Sequence, residues 1–415
     1  MSKLYYKINK YQYKLENTTS QESRALYMNK LNYYQNQKGG FMKPKPGISK
    51  DYTLENYLDN PLKIQSIGFG SMILGQPLEP VTFERHSPGP HEVAVKIQYA
   101  GVCHSDWHYL VGEWESSFPL IPGHEMAGII IRIGPRVKRF SIGDRVAVGT
   151  YTNSCRKCPR CKDGNEQYCE NGATWTYDGF ERNIGDVEPT GDPTYGGFSN
   201  IIVANENYVY KIPDNMPLDT TAPLLCAGLT TYSPLRQMNV GNGSCVGIAG
   251  IGGLGHIAVK LAKAMGAYVV ALTTSKWKLT DAVRLGANDA VLVTNKHEME
   301  KYRSNLDLII STIPVAHDIS PYIDLLRFKG TLWILGALFP LPEFDTNDLA
   351  SLNLKLRSSI VGGVEETEEM LDFCSKHHIA ADIEIIPIES VNETYDRLKK
   401  RDVKYRFVID VDKSL

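Results

Sequence analysis

The sequence predicts an α/β protein with a β-rich, barrel-type domain and a doubly wound parallel-sheet domain, preceded by an N-terminal extension. Three observations support this. At 415 residues, the chain is too long for one ordinary core. One part consists of short apolar or alternating runs punctuated by Gly and Pro, which is typical of a β-barrel. A later part alternates strand-like and helical stretches, which is typical of a parallel sheet covered by helices on both faces.

Residues 1–60 differ in composition from the rest of the chain. They are rich in Tyr, Asn, Lys and Gln, and only residues 21–31 show a short helical pattern. We expect a mostly flexible or surface-wrapping extension. The alternative is an arm that binds a partner or braces an oligomer.

The β-rich domain is expected over residues 61–226 and is completed by residues 360–415. Predicted strands lie at 92–99, 127–133, 145–148 and 198–203, and the closing segment has helices at 365–376 and 391–400 and a strand at 405–411. Residues 171–197 show no clear period and predict a long loop, a feature that is usually functional or mobile.

The parallel-sheet domain is expected over residues 227–359. Its predicted strands lie at 244–249, 268–273, 290–294, 306–312 and 331–335. Strands that take turns with helices in this way predict a Rossmann sheet.

A glycine-rich turn follows the first of these strands and opens a helix, the context that a dinucleotide site requires. Glycines there permit a tight turn and the close approach of a pyrophosphate to the helix N-terminus. The alternative is a glycine-rich packing turn. The residues assigned to the cofactor are Gly250, Gly252, Gly253, Leu254 and Gly255.

The end of the second strand indicates which dinucleotide binds. An NAD site usually has an acidic residue about 20 positions beyond the glycines, but none occurs between Gly243 and Thr280. Thr274, Ser275 and Lys278 instead offer hydroxyl and ammonium groups, which suit the 2′-phosphate of NADP. The alternative is that these are solvated loop residues.

Four cysteines form the strongest metal signal. Cys155, Cys158, Cys161 and Cys169 are separated by 3, 3 and 8 residues, which suits one tetrahedral zinc ion with no position left for substrate. Basic residues in the same loop offset the negative charge of four thiolates around a dication. The sequence therefore predicts a structural zinc site.

A second donor set is spread along the chain. Cys103, His124 and Cys226 supply two thiolates and an imidazole, which bind zinc and leave a fourth position open if the three side chains meet. Only Cys245 and Cys374 of the eight cysteines stand outside the two sets, so reduced thiols are expected rather than a disulfide framework.

Composition limits the other functions. A net charge of −2 gives no whole-chain reason to expect nucleic-acid binding. No stretch approaches the roughly 18 uninterrupted apolar residues of a membrane span, and the N-terminus lacks the apolar core of a signal peptide. We therefore expect a cytoplasmic protein.

These motifs together resemble the zinc-dependent medium-chain alcohol dehydrogenases over about residues 62–415. Cys103-His-Ser-Asp, Pro122-Gly-His-Glu, the four-cysteine loop, Leu224-Leu-Cys-Ala-Gly and the glycine turn occur in that family's order. The closing Tyr405-Arg-Phe-Val-Ile-Asp most resembles the branch of cinnamyl alcohol dehydrogenases and NADP-dependent aldehyde reductases. The β-rich domain is then expected to be GroES-like.

The resemblance also implies site residues. Cys103, His124 and Cys226 correspond to catalytic zinc ligands, and Glu125 to a glutamate that can approach the metal. Asp106 resembles the carboxylate that orients the ligating imidazole. The remaining assignments are Ser105 and His108 to the proton relay and Arg406 to a cofactor phosphate.

The activity implied by the resemblance is hydride transfer between NADP(H) and an aromatic or allylic aldehyde and its primary alcohol, with two zinc ions per chain and a homodimer. The long extension and the long loop through Gly179 depart from the family and leave the substrate open. The alternatives are an NAD-dependent dehydrogenase of polyols or aliphatic alcohols, and a non-catalytic binding protein that retains the fold.

Overall fold

A computed structural model describes residues 63–182, 186–336, 341–400 and 402–415, and the elements below are those of this part of the chain. The predicted extension at 1–60, with its helical pattern at 21–31, lies outside the described residues. The chain divides into two compact units. The first contains the described residues up to Ile212 together with Ile385–Val403 and Phe407–Leu415, and the second contains Pro213–Glu384 and Lys404–Arg406.

The first unit opens with short strands, as the punctuated apolar runs predict. The elements are β1 (Lys63–Gly70), β2 (Glu79–His86), β3 (Glu92–Val102), α1 (His104–Leu110), β4 (Met126–Ile133), β5 (Arg145–Val148), β6 (Tyr151–Asn153), α2 (Pro159–Lys162), β7 (Thr174–Trp175), β8 (Ile201–Asn205) and β9 (Val209–Lys211), with 3-10 turns at Glu166–Tyr168 and Glu206–Tyr208.

The second unit alternates helices and strands. The elements are α3 (Leu218–Thr221), a 3-10 turn (Ala222–Leu225), α4 (Ala227–Gln237), β10 (Cys245–Ala249), α5 (Gly255–Ala264), β11 (Tyr268–Thr273), α6 (Trp277–Arg284), β12 (Asp289–Leu292), α7 (Lys296–Glu300), β13 (Leu306–Ser311), α8 (Ser320–Ile323), β14 (Leu326–Ile334), α9 (Thr346–Ser351), β15 (Lys355–Ser358) and α10 (Val364–His377).

The six strands of the second unit are all parallel and lie in the order β12-β11-β10-β13-β14-β15. This is the Rossmann order, in which the direction of strand addition reverses between β10 and β13. Ligands of such sheets bind beyond the carboxyl ends of the strands at that point. The glycine turn follows β10 and therefore lies at that edge.

The closing segment consists of β16 (Ile383–Ile386), a 3-10 turn (Ile388–Ser390), α11 (Val391–Lys399), β17 (Arg406–Asp410) and α12 (Val411–Ser414). It completes a sheet of order β16-β17-β3-β4-β5-β9, in which β8 also pairs with β3. Strand β3 is antiparallel to β4, β8 and β17 and has fully buried core residues such as Val93 and Ile97. It ends at Val102, one residue before the first predicted zinc ligand.

The unit boundaries differ from the predicted boundaries of 227 and 359. The second unit begins at Pro213 and extends to Glu384, so that it includes helix α10. Helix α10 is held against α4, since the Ser233 hydroxyl donates to the buried Glu366 carboxylate at 3.1 Å and Arg236 pairs with Glu369. These hydrogen bonds join residues 133 positions apart, so local sequence patterns do not reveal them.

Candidate metal centres and dinucleotide site

Strand β3 leads directly into the first candidate metal centre. Cys103 is extended (φ −117°) and caps helix α1, and its backbone N–H donates to Asp106 Oδ2 at 2.9 Å. Gly101 precedes it, and a Cβ there would lie 2.0 Å from Glu125 Oε2. The glycine therefore makes room for the Glu125 carboxylate beside the strand.

Asp106 joins the helix cap to the predicted ligand His124. It is fully buried, and its Oδ1 accepts the backbone N–H of Gly123 at 3.0 Å and lies 3.1 Å from His124 Nδ1. A carboxylate only accepts hydrogen bonds, so Nδ1 carries a proton and Nε2 is the nitrogen through which a metal can bind. This is the ring orientation that a zinc ligand needs.

Three predicted donors of the first unit come together in the structure. Cys103, His124 and Glu125 are buried, and their ligand atoms lie within 4.8 Å of one another. Cys226, the remaining predicted ligand, is buried in the second unit. Two thiols, one imidazole and one carboxylate are a donor set that zinc accepts. The side chains therefore fit the metal that the sequence predicts.

Tyr177 is a residue of this centre that the sequence reasoning missed. It is buried, its ring centroid lies 5.8 Å from that of His124, and its hydroxyl bonds to Asp106. Burial and the nearby Asp106 carboxylate raise the pKa of Tyr177, so the phenol stays protonated and donates. The surrounding loop has no sequence period, and no local signal distinguishes Tyr177 from its other aromatic residues.

The predicted relay residues Ser105 and His108 lie three positions apart on α1 and so share one face of the helix. The Cys103 thiol lies 3.7 Å from the Ser105 hydroxyl. His108 is 7% exposed, and its Nδ1 pairs with Glu113, an acid that the sequence reasoning did not select. Glu113 therefore places a carboxylate directly beside His108.

The four-cysteine loop forms a second centre. The Sγ atoms of Cys155, Cys158, Cys161 and Cys169 lie within 4.8 Å of one another. Two backbone N–H groups, of Lys157 and Cys158, point at Cys155 Sγ at 3.4 and 3.3 Å. Such donors stabilise thiolates, so the loop fits a tetrahedral dication.

Without a metal, these four thiols do not ionise together. Burial acts to raise the pKa of Cys155, but hydrogen bonds from Asn171 and from the backbone lower it to about 6. Burial raises the pKa of Cys161 to about 12. Ionising all four thiols therefore requires a bound cation to offset their mutual repulsion.

The glycine turn has the geometry of a phosphate-binding loop. Gly250 has φ +87°, and a Cβ at Gly255 would lie 1.9 Å from the Gly250 carbonyl oxygen. A Cβ at Gly252 would meet open space, so a ligand can approach the backbone there. Leu254 caps helix α5. Thr312, which sequence reasoning missed, donates to the Gly250 carbonyl at 2.7 Å.

The loop after β11 reaches this turn through Lys278. Its ammonium donates to the Ile251 carbonyl at 2.7 Å and lies 5.1 Å from the Trp277 ring centroid. The Ser275 N–H donates to the Thr273 hydroxyl at 3.2 Å, and the Thr274 side chain is exposed. A cationic, hydroxyl-bearing loop therefore lies beside the glycines.

The predicted phosphate contact Arg406 also lies at the turn. It is 3% exposed, and a Cβ built on Gly253 would lie 3.0 Å from its Cδ and 3.4 Å from its Nη1. Arg406 belongs to the second unit although its neighbour Phe407 belongs to the first. The guanidinium is therefore part of the glycine-turn environment.

Comparison with known proteins identifies the family. The model of the alcohol dehydrogenase GroES-like domain matches residues 89–214, and that of zinc-binding dehydrogenases matches residues 253–376. A probable zinc-type alcohol dehydrogenase-like protein of Acanthamoeba polyphaga mimivirus is 47% identical over 416 residues, covering 99% of this chain and 98% of that protein. The chain belongs to the zinc-binding alcohol dehydrogenase family.

Two further relatives bear on the branch. An NADP-dependent alcohol dehydrogenase C 1 of Mycolicibacterium smegmatis is 46% identical, covering 81% of this dehydrogenase and 95% of that protein. The structure of a cinnamyl alcohol dehydrogenase from Sorghum bicolor superposes with a TM-score of 0.80 at 37% identity, covering 85% of this chain and 99% of that chain. The predicted family, fold class, enzyme class and cofactors are thereby confirmed.

These relatives match different lengths of this chain. The viral protein matches 99% of this dehydrogenase and so includes most of residues 1–60, whereas the mycobacterial protein covers 81%. No helix in the described residues is both long enough and apolar enough to span a bilayer.

Replacing Cys158 by Ser is expected to remove one of the two zinc ions and to lower the melting temperature by at least about 5 °C, because a structural metal contributes directly to folding. Zinc content and thermal melting check this. Cys245→Ser, which changes a half-buried cysteine outside both centres, is the control. A Cys158→Ser protein with one zinc and unchanged melting would contradict the structural role.

Replacing Asp106 by Asn is expected to weaken zinc binding at the Cys103 centre about 10- to 100-fold. An amide cannot accept hydrogen bonds from all of the N–H donors that now converge on the carboxylate. Competition with a chelator measures the affinity, and the exposed Asp372→Asn on α10 is the matched control. Equal zinc retention in both variants would show that Asp106 does not orient His124.

Proposed function

We propose that this dehydrogenase reduces aromatic or allylic aldehydes to primary alcohols with NADPH, using zinc held by Cys103, His124 and Cys226. The observation that carries the proposal is the convergence of Cys103, His124 and Glu125 in the first unit, all buried, with ligand atoms within 4.8 Å of one another. Two thiols, an imidazole and a nearby carboxylate suit an open catalytic zinc site better than a closed structural one.

The residues around the donors prepare them for metal binding. Asp106 holds His124 as the Nδ1–H tautomer and binds the Cys103 backbone, so two ligands are oriented by one carboxylate. Glu125 Oε1 lies 4.0 Å from His124 Nε2, so its carboxylate is a further candidate ligand beside the imidazole. Zinc bound there supplies Lewis-acid polarisation of a carbonyl oxygen.

Helix α1 supplies a route for the proton. The Ser105 hydroxyl lies close to the Cys103 ligand, and the buried His108 on the same helical face pairs with the half-exposed Glu113. Of these three groups, the Glu113 carboxylate is the most accessible to solvent. We assign Ser105 to proton donation to the product alkoxide and His108 to its reprotonation from solvent.

The charge of the second unit's loops favours the phosphorylated dinucleotide. No carboxylate follows the glycine turn between Gly243 and Thr280, and Lys278 bonds to the turn itself. A 2′-phosphate beside Lys278 and Ser275 forms charge-assisted hydrogen bonds. The neutral 2′-hydroxyl of NADH has no negative charge to strengthen such bonds. NADPH in turn favours the reductive direction in cells.

Homodimer formation and a cytoplasmic location belong to the same proposal. All four residues of strand β15 are exposed, including Leu356 at 40%, and among the described strands it pairs on one side only. An open edge of this kind pairs readily with a second copy. Thiol groups arranged for metal binding suit a reducing compartment. Light scattering on the purified protein is expected to give the mass of two chains.

The test of function is oxidation of NADPH and NADH by the zinc-loaded protein with aromatic, allylic and aliphatic aldehydes, together with NAD-linked oxidation of polyols. We expect aromatic or allylic aldehydes to react fastest, with NADPH preferred.

Lys278→Gln is expected to cut the NADPH preference about ten-fold while leaving NADH kinetics unchanged, because one charged hydrogen bond is lost. The neighbouring exposed Lys276→Gln is the control.

The other outcomes are equally informative. Faster oxidation of polyols with NAD would favour a polyol dehydrogenase. Lack of turnover with every substrate, in a protein carrying both zinc ions, would favour a non-catalytic role for the fold.

A further inference from the structure

Three residues of the closing segment belong to the nucleotide-binding unit. Lys404, Tyr405 and Arg406 group with Pro213–Glu384, whereas Val403 and Phe407 on either side group with the first unit. We call these three residues the return segment. Arg406 packs on Gly253 of the glycine turn, so the position of the return segment sets the position of a guanidinium at the expected pyrophosphate site.

Asp382 holds the backbone of the return segment. Its carbonyl oxygen accepts the N–H groups of Tyr405 and Arg406 at 3.0 and 3.1 Å. Its carboxylate pairs with Lys260 of α5 and, at 2.9 Å, with Arg284 of α6. Lys260 also donates to the Ala380 carbonyl at 2.8 Å. Contacts with helices α5 and α6 therefore hold Asp382 in place. Asp382 in turn holds the backbone of the return segment.

His256 connects Asp382 to the glycine turn. It lies in the first turn of α5 and is fully buried. Its Nδ1 lies 3.1 Å from the Gly252 carbonyl oxygen, and its Nε2 accepts the Asp382 N–H at 3.1 Å. The ring also stacks on Tyr405, with centroids 4.9 Å apart and an interplanar angle of 15°.

Only a neutral imidazole satisfies both contacts, since one nitrogen donates to a carbonyl and the other accepts an amide proton. The surroundings enforce that state: burial, followed by the nearby ammonium of Lys260, lowers the pKa of His256 to about 3. The charged and titratable groups around the ring, Lys260, Asp382 and Arg406, leave it uncharged at neutral pH. The ring is therefore a fixed connector and does not titrate in that range.

We propose that His256 is a positioning residue for cofactor binding: its bond to Asp382 holds the return segment so that Arg406 meets the pyrophosphate over the glycine turn. The inference rests on the proposed use of a dinucleotide by this unit. His256 touches neither substrate nor cofactor and acts through Asp382 and Arg406. Loss of the bond to Asp382 weakens recognition of the diphosphate but not of the adenosine end.

Two substitutions separate the two hydrogen bonds of the ring. An Asn side chain places its amide near the Nδ1 position and can still donate to Gly252, but it does not reach Asp382. A Gln side chain reaches the Nε2 position, and its carbonyl oxygen can accept the Asp382 N–H. Both lose the stacking on Tyr405, so His256→Asn retains only the bond to Gly252 and His256→Gln retains only the bond to Asp382.

Calorimetry with two probes tests the proposal on the full-length, zinc-loaded protein. 2′-Phospho-ADP-ribose contains the pyrophosphate, and adenosine 2′-monophosphate does not. His256→Asn is expected to bind 2′-phospho-ADP-ribose about ten-fold more weakly, with adenosine 2′-monophosphate nearly unchanged, and His256→Gln is expected to restore most of the affinity. His297→Asn, an exposed histidine of the same unit, is the control.

Equal losses for both probes, unchanged binding by His256→Asn, or no restoration by His256→Gln would overturn the positioning role. If neither His256 variant folds, Lys260→Met decides, since it loosens Asp382 from another side. It is expected to weaken binding of 2′-phospho-ADP-ribose selectively, and unchanged binding would overturn the inference. Failure of the wild-type protein to bind either probe would instead overturn the proposed cofactor.

Discussion

The first candidate centre depends on the hydrogen bonds that the buried carboxylate of Asp106 accepts. This carboxylate accepts hydrogen bonds from the N–H of Cys103, which starts a helix, and from Gly123, which precedes the ligand His124, and it orients the His124 ring. A fully buried charge is costly unless several donors surround it. Here the donors are the same groups that must be placed to bind a metal, so stability of the fold and geometry of the centre are coupled.

The second unit also has an aspartate that joins separate segments, for a different purpose. The N–H of Asp382 donates to His256, and its carboxylate pairs with two side-chain cations. Its carbonyl oxygen accepts two N–H groups of the return segment. In each unit, an aspartate therefore binds backbone from segments far apart in sequence. In the function that we propose, each arrangement directs neighbouring groups toward a ligand, a metal in one unit and a phosphate in the other.

Motifs formed by neighbouring residues in both sites were predictable from the sequence. Contacts between residues far apart in sequence were not. The glycine turn, the four-cysteine loop and most strands are encoded by neighbouring residues, and β5 and β11 lie where the sequence pattern predicts them. Tyr177 and His256 carry no periodic or spacing signal, and their roles depend on partners brought close by the fold. The contacts that place α10 in the second unit have no local signal either, because its hydrogen bonds to α4 join residues far apart in sequence.

The return segment also has a consequence for how this protein can be divided. A gene fragment encoding only Pro213–Glu384 would contain every strand of the parallel sheet and the whole glycine turn. It would nevertheless lack Tyr405 and Arg406, leaving the Asp382 carbonyl and one face of His256 facing solvent. Modular exchange of the nucleotide-binding unit between enzymes of this family therefore requires transplanting a tripeptide from near the C-terminus along with the continuous block.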